Sequence, residues 1–317
     1  MTRRAVRAAL LVIVGLSMLA CSTTGGDPRG ESASVPRRQW LPDDPPRAII
    51  LALHGFNDYS KAFADFGAYA ASHGIAVYAY DQSGFGANSD AGLWPGITTL
   101  VSDLRRERAR LAARYPNLPV YLLGESMGAA VLIAAVADHA PLDAAGMIMT
   151  APAVWGGDQL NTFYRMVLWL ADHVAPGMKL TGESLGILAS DNLPMLRALG
   201  ADPLFIKATR VDAIAGLVRL MDLAYAEAPA VPGPLLVLGG ARDEVVPPRA
   251  HTAMVERLTA DPCTEVVYPN GWHLLLRDLD RKLVWDDILA WIDHEPLPSG
   301  LAHPCGGSIK VASAGRG

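Results

Sequence analysis

The sequence predicts an α/β fold, with a mostly parallel central sheet, helices on both faces and a helical cap inserted late in the chain. Three observations predict it. Short apolar runs alternate with longer helical patterns along most of the body. The run 120–123 feeds Gly124-Glu125-Ser126-Met127-Gly128, and a small-residue helical run, 129–136, follows at once. Between Thr150 and Pro234 the strand signal stops and apolar helical segments replace it. Strands that are apolar at every position, rather than at alternate ones, fit a sheet buried on both faces.

In chain order, 48–53 reads as a strand, 63–73 as an amphipathic helix and 76–80 as a strand ending in Asp81. A long helix, 98–115, carries Arg and Glu on its outer face. Strand 120–123, helix 126–138 and strand 146–150 follow. The pattern resumes with strand 235–238, helix 248–258, strand 265–268 and helix 278–292. The interruption holds helical segments at 160–174, 193–199 and 213–224, with Trp155, Trp169, Leu170 and Leu188 among many apolar residues. We read 39–150 and 233–295 as two parts of one core and 151–232 as the cap, with a C-terminal tail over 296–317. Trp155 and Leu188 are the cap residues expected to bind substrate. In Ala201-Asp202-Pro203-Leu204, Asp202 is expected to cap a helix whose first residue is Pro203.

Gly-x-Ser-x-Gly between a strand and a helix is the context of a nucleophile elbow. The glycines leave room for a turn that side chains would block. A serine hydroxyl needs a base, and the base needs an orienting acid. Asp243 follows strand 235–238 in Gly240-Ala241-Arg242-Asp243-Glu244, and His273 follows strand 265–268 in Gly271-Trp272-His273. Both loops lie beyond the carboxyl ends of their strands, on the rim that carries Ser126. Glu244 is the rival to Asp243. A negative tetrahedral intermediate needs two donors, and the backbone N–H groups of Met127 and Phe56 fill that role. His54 braces the Phe56 loop by hydrogen bonding. His251 and His294 are expected to be solvated, and His73 and His139 to sit at helix ends. Residues 80–86 form a structural loop, since their glycine spacing fits neither a dinucleotide fingerprint nor a P-loop. No cofactor and no metal-ligand spacing is expected. Of the 317 residues, 51% are apolar, enough for a sizeable core, and the net charge of −5 with no basic patch argues against nucleic acid. No obligate protein partner is evident.

The start of the chain is separate. Arg3, Arg4 and Arg7 precede an apolar run, 8–20, too short for a stable span. The end of this run, Leu16-Ser17-Met18-Leu19-Ala20-Cys21, resembles a bacterial lipoprotein signal, with Met18 in place of the usual leucine. The resemblance implies a signal peptide over 1–21, lipid on Cys21 and a flexible tether over 22–38. Ser22 after the cysteine implies the periplasmic face of an outer membrane. An uncleaved anchor or a secreted or periplasmic protein is the alternative. Cys263 and Cys305 remain, either disulfide-bonded across the tail or unpaired.

Together, His54-Gly55-Phe56, residues 80–86, Gly124-Glu125-Ser126-Met127-Gly128, Asp202-Pro203-Leu204, Asp243-Glu244-Val245-Val246-Pro247 and Gly271-Trp272-His273 resemble α/β-hydrolases of the monoacylglycerol lipase and lysophospholipase branch, grouped with serine aminopeptidase-like hydrolases. The resemblance covers 47–294 and implies an α/β-hydrolase fold. It also implies Ser126 as nucleophile, Asp243 as orienter, His273 as base, and Phe56 and Met127 as oxyanion donors. Family members often carry Arg where this chain has Ser83. The expected substrate is a single-chain lipid ester, monoacylglycerol ahead of lysophospholipid, or another small ester. A general carboxylesterase, a peptidase or amidase, and a non-catalytic membrane-tethered binding protein are the alternatives. Cap carboxylates Glu183, Asp191 and Asp222 are expected to face solvent.

Overall fold

The computed structural model describes residues 35–137, 140–155, 162–181 and 186–306. Cys21, the signal, most of the tether, His139 and Glu183 lie outside them. In chain order the strands are β1 (Arg37–Trp40), β2 (Ala48–Leu53), β3 (Ile75–Tyr80), β4 (Val120–Glu125), β5 (Gly146–Thr150), β6 (Lys179–Thr181), β7 (Ala208–Arg210), β8 (Leu235–Gly240), β9 (Cys263–Tyr268) and β10 (His303–Pro304). The α-helices are α1 (Ala64–Ser72), α2 (Ile97–Arg114), α3 (Met127–Ala134), α4 (Thr162–Val174), α5 (Leu193–Ala201), α6 (Val211–Glu227), α7 (Pro248–Val255) and α8 (Arg281–Ile292). One sheet runs β1-β3-β2-β4-β5-β8-β9-β10; β6 and β7 pair separately in the cap. Only the outermost strands of the main sheet, β1 and β10, run antiparallel to their neighbours.

Every residue of β2, β3, β4 and β8 is buried. Alternate side chains serve opposite faces. Ile49, Leu51 and Leu53 meet the layer that holds Leu104 of α2, Leu132 of α3 and Leu220 of α6. Ala48, Ile50 and Ala52 meet Phe66 of α1 and Ile288 of α8. Each such leucine or isoleucine side chain contributes about 1.5–3 kcal/mol by leaving water, so two-sided burial fixes the central strands firmly.

Five expectations need correction. The tether does not extend to residue 38: Arg37 and Arg38 belong to β1, which pairs with β3. Arg37 Nε and Nη2 donate to Glu107 at 2.7 and 2.6 Å, so a charged edge strand is held from α2 without an apolar pattern. The tail is not wholly apart from the core: its His303–Pro304 join the sheet as β10, with His303 opposite Glu265 and a Cys263–Cys305 disulfide beside them. Helix α6 is not confined to the cap: Leu220 and Ala224 are fully buried in the same core layer as α3. Asp202 ends α5 rather than beginning a helix. Asn192 caps α5 instead, with its Oδ1 accepting from Met195 N and Pro194 in the first turn. Asp202 accepts from Tyr59 Oη at 2.7 Å, Leu204 N at 3.0 Å and Lys61 Nζ at 3.0 Å. The Tyr59 bond leads in holding its carboxyl down at about 2. His251 is buried, with Nε2 3.0 Å from Glu265 Oε1, rather than solvated.

Candidate active site

After β2 the chain moves to β3 on one side, then returns across β2 to β4 on the other. This reversal opens a crevice beyond the carboxyl ends of β2 and β4, the place where open α/β sheets bind ligands. The β2 loop carries Phe56 into it, and the β4 turn carries Ser126. The next parallel strands, β8 and β9, deliver Asp243 and His273 to the same rim.

Ser126 adopts φ 53°, ψ −111°, between β4 and α3. A non-glycine residue there is strained, and the surroundings hold it. Its N–H donates to Thr150 O at 2.9 Å, and its carbonyl accepts from Ala153 N at 3.0 Å. A Cβ on Gly124 would collide with the Ala129 backbone, and one on Gly128 with the Leu53 carbonyl. The two glycines therefore let α3 start directly against β2 and β4.

His273 Nε2 lies 2.9 Å from Ser126 Oγ, and His273 Nδ1 lies 2.8 Å from Asp243 Oδ2. Asp243 Oδ1 accepts from Val245 N and Val246 N, both at 2.8 Å. All three side chains are buried. Glu244 faces elsewhere, and its Oε2 accepts from Leu188 N at 2.8 Å. Met127 opens α3, where the first N–H groups have no intrahelical acceptor. Phe56 stands across the crevice on a tight turn closed by Asp58 N donating to Gly55 O.

His54 braces that turn. Its Nδ1 lies 2.8 Å from Gly55 O, and its Nε2 accepts from Gln82 N at 2.9 Å. Burial lowers its basicity, against the pull of the Gly55 carbonyl. Gln82 Nε2 returns a bond to His54 O, so residues 80–86 act structurally, supporting the Phe56 loop. Asp191 accepts from Leu279 N, and Asp222 pairs with Arg165.

A cavity of about 480 Å³ opens over Ser126 and His273. Its walls include Phe56, Trp155, Leu196, Leu217, Met221 and Val246, a mainly apolar surface. Trp155, expected to bind substrate, is one of these wall residues. Leu188, expected beside it, is 40% exposed and is not among the wall residues. Its backbone N–H donates to Glu244 Oε2, away from the cavity. Among the described residues, no group of three His, Cys, Asp or Glu side chains is arranged to hold a metal ion.

Sequence reasoning missed the charged floor. Arg277 Nη2 donates to Glu125 Oε1, and Arg277 Nη1 meets Asp58 Oδ2, both at 2.7 Å. All three residues are buried. Burial works against the Arg277 charge, but the two carboxylates outweigh it and raise its pKa. Burial pushes the Glu125 carboxyl up against the pull of Arg277. One signal was present: an arginine closing the apolar run Leu274-Leu275-Leu276, four residues after His273. The cap strap was missed too. Leu274 N donates to Ala189 O, Ser190 Oγ to Asp278 Oδ1 at 2.6 Å, and Asn192 Nδ2 to Arg277 O at 2.9 Å.

A parallel sheet with antiparallel edges, a serine elbow at the switch point and an inserted cap define the α/β-hydrolase fold. A family model described as serine aminopeptidase, S33, matches residues 44–280. The chain belongs to this family. It is 27% identical over 255 residues to a monoacylglycerol lipase of Mycolicibacterium smegmatis, covering 80% of this chain and 90% of that one. It is 25% identical over 272 residues to human monoglyceride lipase, covering 84% and 89%. Among solved structures, a Paleococcus ferrophilus monoacylglycerol lipase aligns with TM-score 0.69 at 20% identity, over 82% of this chain and 98% of that one. A soluble variant of Saccharomyces cerevisiae monoglyceride lipase, in complex with a substrate analog, aligns with TM-score 0.70 at 17% identity, over 84% and 98%.

Proposed function

We propose that this protein is a serine ester hydrolase acting on single-chain lipid esters, a monoacylglycerol first among them. The observation that carries the reading is the Ser126–His273–Asp243 hydrogen-bonded chain opening into an apolar cavity. His273 Nε2 takes the Ser126 proton as Oγ attacks the ester carbonyl. The Phe56 and Met127 N–H groups receive the developing oxyanion. Protonated His273 then gives its proton to the leaving alcohol. Water, activated by the same imidazole, attacks the acyl-enzyme and releases the acid. Asp243 holds the imidazole in the tautomer that leaves Nε2 as acceptor.

The cavity volume lies within the range of small-molecule sites, and its apolar walls suit an acyl chain. Its two carboxylates, Asp58 and Glu125, share Arg277, which favours an uncharged alcohol over a peptide amino terminus. We place the protein at a bacterial envelope, tethered by lipid on Cys21; mass analysis of the mature N-terminus tests this, and an unmodified Cys21 removes it.

The decisive assay offers monoacylglycerols, lysophospholipids, p-nitrophenyl esters of graded chain length and peptide amides to the native chain and to Ser126→Ala. We expect ester cleavage, a preference for longer acyl chains, and no turnover or fluorophosphonate labelling of Ser126→Ala. Faster cleavage of amides than of every ester would overturn the lipid-ester reading.

A further inference from the structure

Four parts of the site converge on Arg277. Glu125, which takes Nη2, immediately precedes Ser126 at the end of β4. Asp58, which meets Nη1, closes the turn that presents Phe56. The Arg277 main chain belongs to the turn after His273, where its N–H donates to Leu274 O. Its carbonyl receives Asn192 Nδ2 from the N-cap of cap helix α5. One guanidinium thus spans the nucleophile strand, the oxyanion loop and the histidine loop, and its backbone adds the cap.

We propose that Arg277 is a positioning residue that sets the spacing of nucleophile, base and oxyanion donors by gripping Glu125 and Asp58 together. This rests on the serine-hydrolase reading above. A rigid planar fork reaches two carboxylates in fixed directions, whereas an ammonium is a point charge on a flexible stem. Reaction rates are steep in the relative placement of reacting atoms, and an error near 1 Å costs on the order of 10²-fold. Glu125 adjoins Ser126 and Asp58 lies two residues from Phe56, so a slackened grip displaces nucleophile and oxyanion donor relative to each other and to the histidine loop that carries Arg277.

Three variants test the role: Arg277→Lys, Arg277→Met, and a neutral triple variant combining Asp58→Asn, Glu125→Gln and Arg277→Met. The readouts are the rate constant for fluorophosphonate labelling of Ser126, kcat and KM with p-nitrophenyl butyrate, and the thermal midpoint. Arg277→Lys keeps the charge and a near-native midpoint, yet kcat and the labelling rate fall about tenfold or more, with KM little changed. Arg277→Met leaves two carboxylates uncompensated and lowers the midpoint as well. The triple variant removes that imbalance; its midpoint recovers relative to Arg277→Met, but labelling stays slow. A triple variant that regains both midpoint and native labelling rate overturns the proposal, because Arg277 would then serve charge balance alone. A folded Arg277→Lys with native kcat overturns it too. A native chain that does not label removes the hydrolase reading and this role together, whereas native labelling matched by equally fast variants removes this role alone.

Discussion

Two carboxylates stand side by side after β8, and their directions separate their duties. Asp243 is pinned by the N–H groups of Val245 and Val246 and faces His273; Glu244 faces the cap and holds Leu188 N. Asp243→Asn should therefore lower kcat by about 10³–10⁴, because the amide favours the wrong imidazole tautomer. Glu244→Gln should leave kcat on a soluble short-chain ester close to native. Comparing the two kcat values decides the assignment, and the opposite ranking would make Glu244 the orienter. Ser126, Asp243 and His273 are legible in the sequence because each needs a local setting a few residues long: an elbow or a strand end. Arg277 is not, because its meaning lies in Glu125 and Asp58, which reach it from distant stretches of chain. Leu188 misleads for a related reason, since an apolar residue serves equally on a cavity wall or on the outer face of a cap.

Asp278 is a buried carboxylate beside the histidine loop, accepting from Ser190 Oγ and from Trp272 N at 2.8 Å. Burial pushes it up to about 6, against those two bonds, with Asp191 and Glu125 adding to the rise. An unfolded aspartate titrates near 3.9, so between the two values the folded chain holds the extra proton. Stability from this group is greatest below about pH 4 and declines as pH rises to about 6. In Asp278→Asn, the amide oxygen still accepts from Trp272 N, and the amide nitrogen donates to Ser190 Oγ. The midpoint of the variant minus that of the native chain should rise between pH 4 and 6 and then level off. A flat difference across that window would show that Asp278 ionises as it does in the unfolded chain.

Among the elements, α4 exposes an apolar patch. Its Arg165 pairs with Asp222 of α6 at 2.7 Å, and its Asp172 with Arg219 of α6 at 3.1 Å. Meanwhile Met166, Val167, Trp169, Leu170 and Val174 are exposed. Two ion pairs thus tie the helix to α6 while these apolar residues lie outward, a patch of the kind that marks an interaction surface. Replacing Trp169 and Leu170 with serine should lower kcat/KM for monoacylglycerol in vesicles while sparing p-nitrophenyl acetate in solution. Equal losses on both substrates would trace the effect to the cavity instead. Interior elements are legible, since β2, β3 and β8 carry no charged residue and β4 carries none before Glu125 at its end. The edge strands are not: β1 is held by backbone pairing and Glu107, and β10 is two residues long. Neither bears the hydrophobic signature on which strand recognition rests.

At the scale of the whole molecule, the alternation of strands and helices announced the architecture. It could not give the strand order, because the return of the chain across β2 leaves no mark in local pattern. The cysteines pose the same problem: the sequence leaves Cys263 and Cys305 as a pair or as free thiols, and the pairing of β10 with β9 brings them together. Their bridge spans a sequence separation of 42, enclosing α8 and the His273 loop. Cross-linking such a segment restricts the unfolded chain, and the loop-entropy model gives about 4 kcal/mol for this length. It also keeps β10 over what would otherwise be an open edge on β9. The placement of His273 does not depend on it, because His273 is held by Asp243 and its loop by the cap strap. Cys263→Ser with Cys305→Ser should thus lose about 2–4 kcal/mol in urea unfolding, and reductant should do the same to the native chain. Well below the unfolding transition, kcat should be native. A folded double variant with depressed kcat would mean that the tail reaches the catalytic loops, and undiminished stability would mean that the sheet edge holds β10 without the bridge.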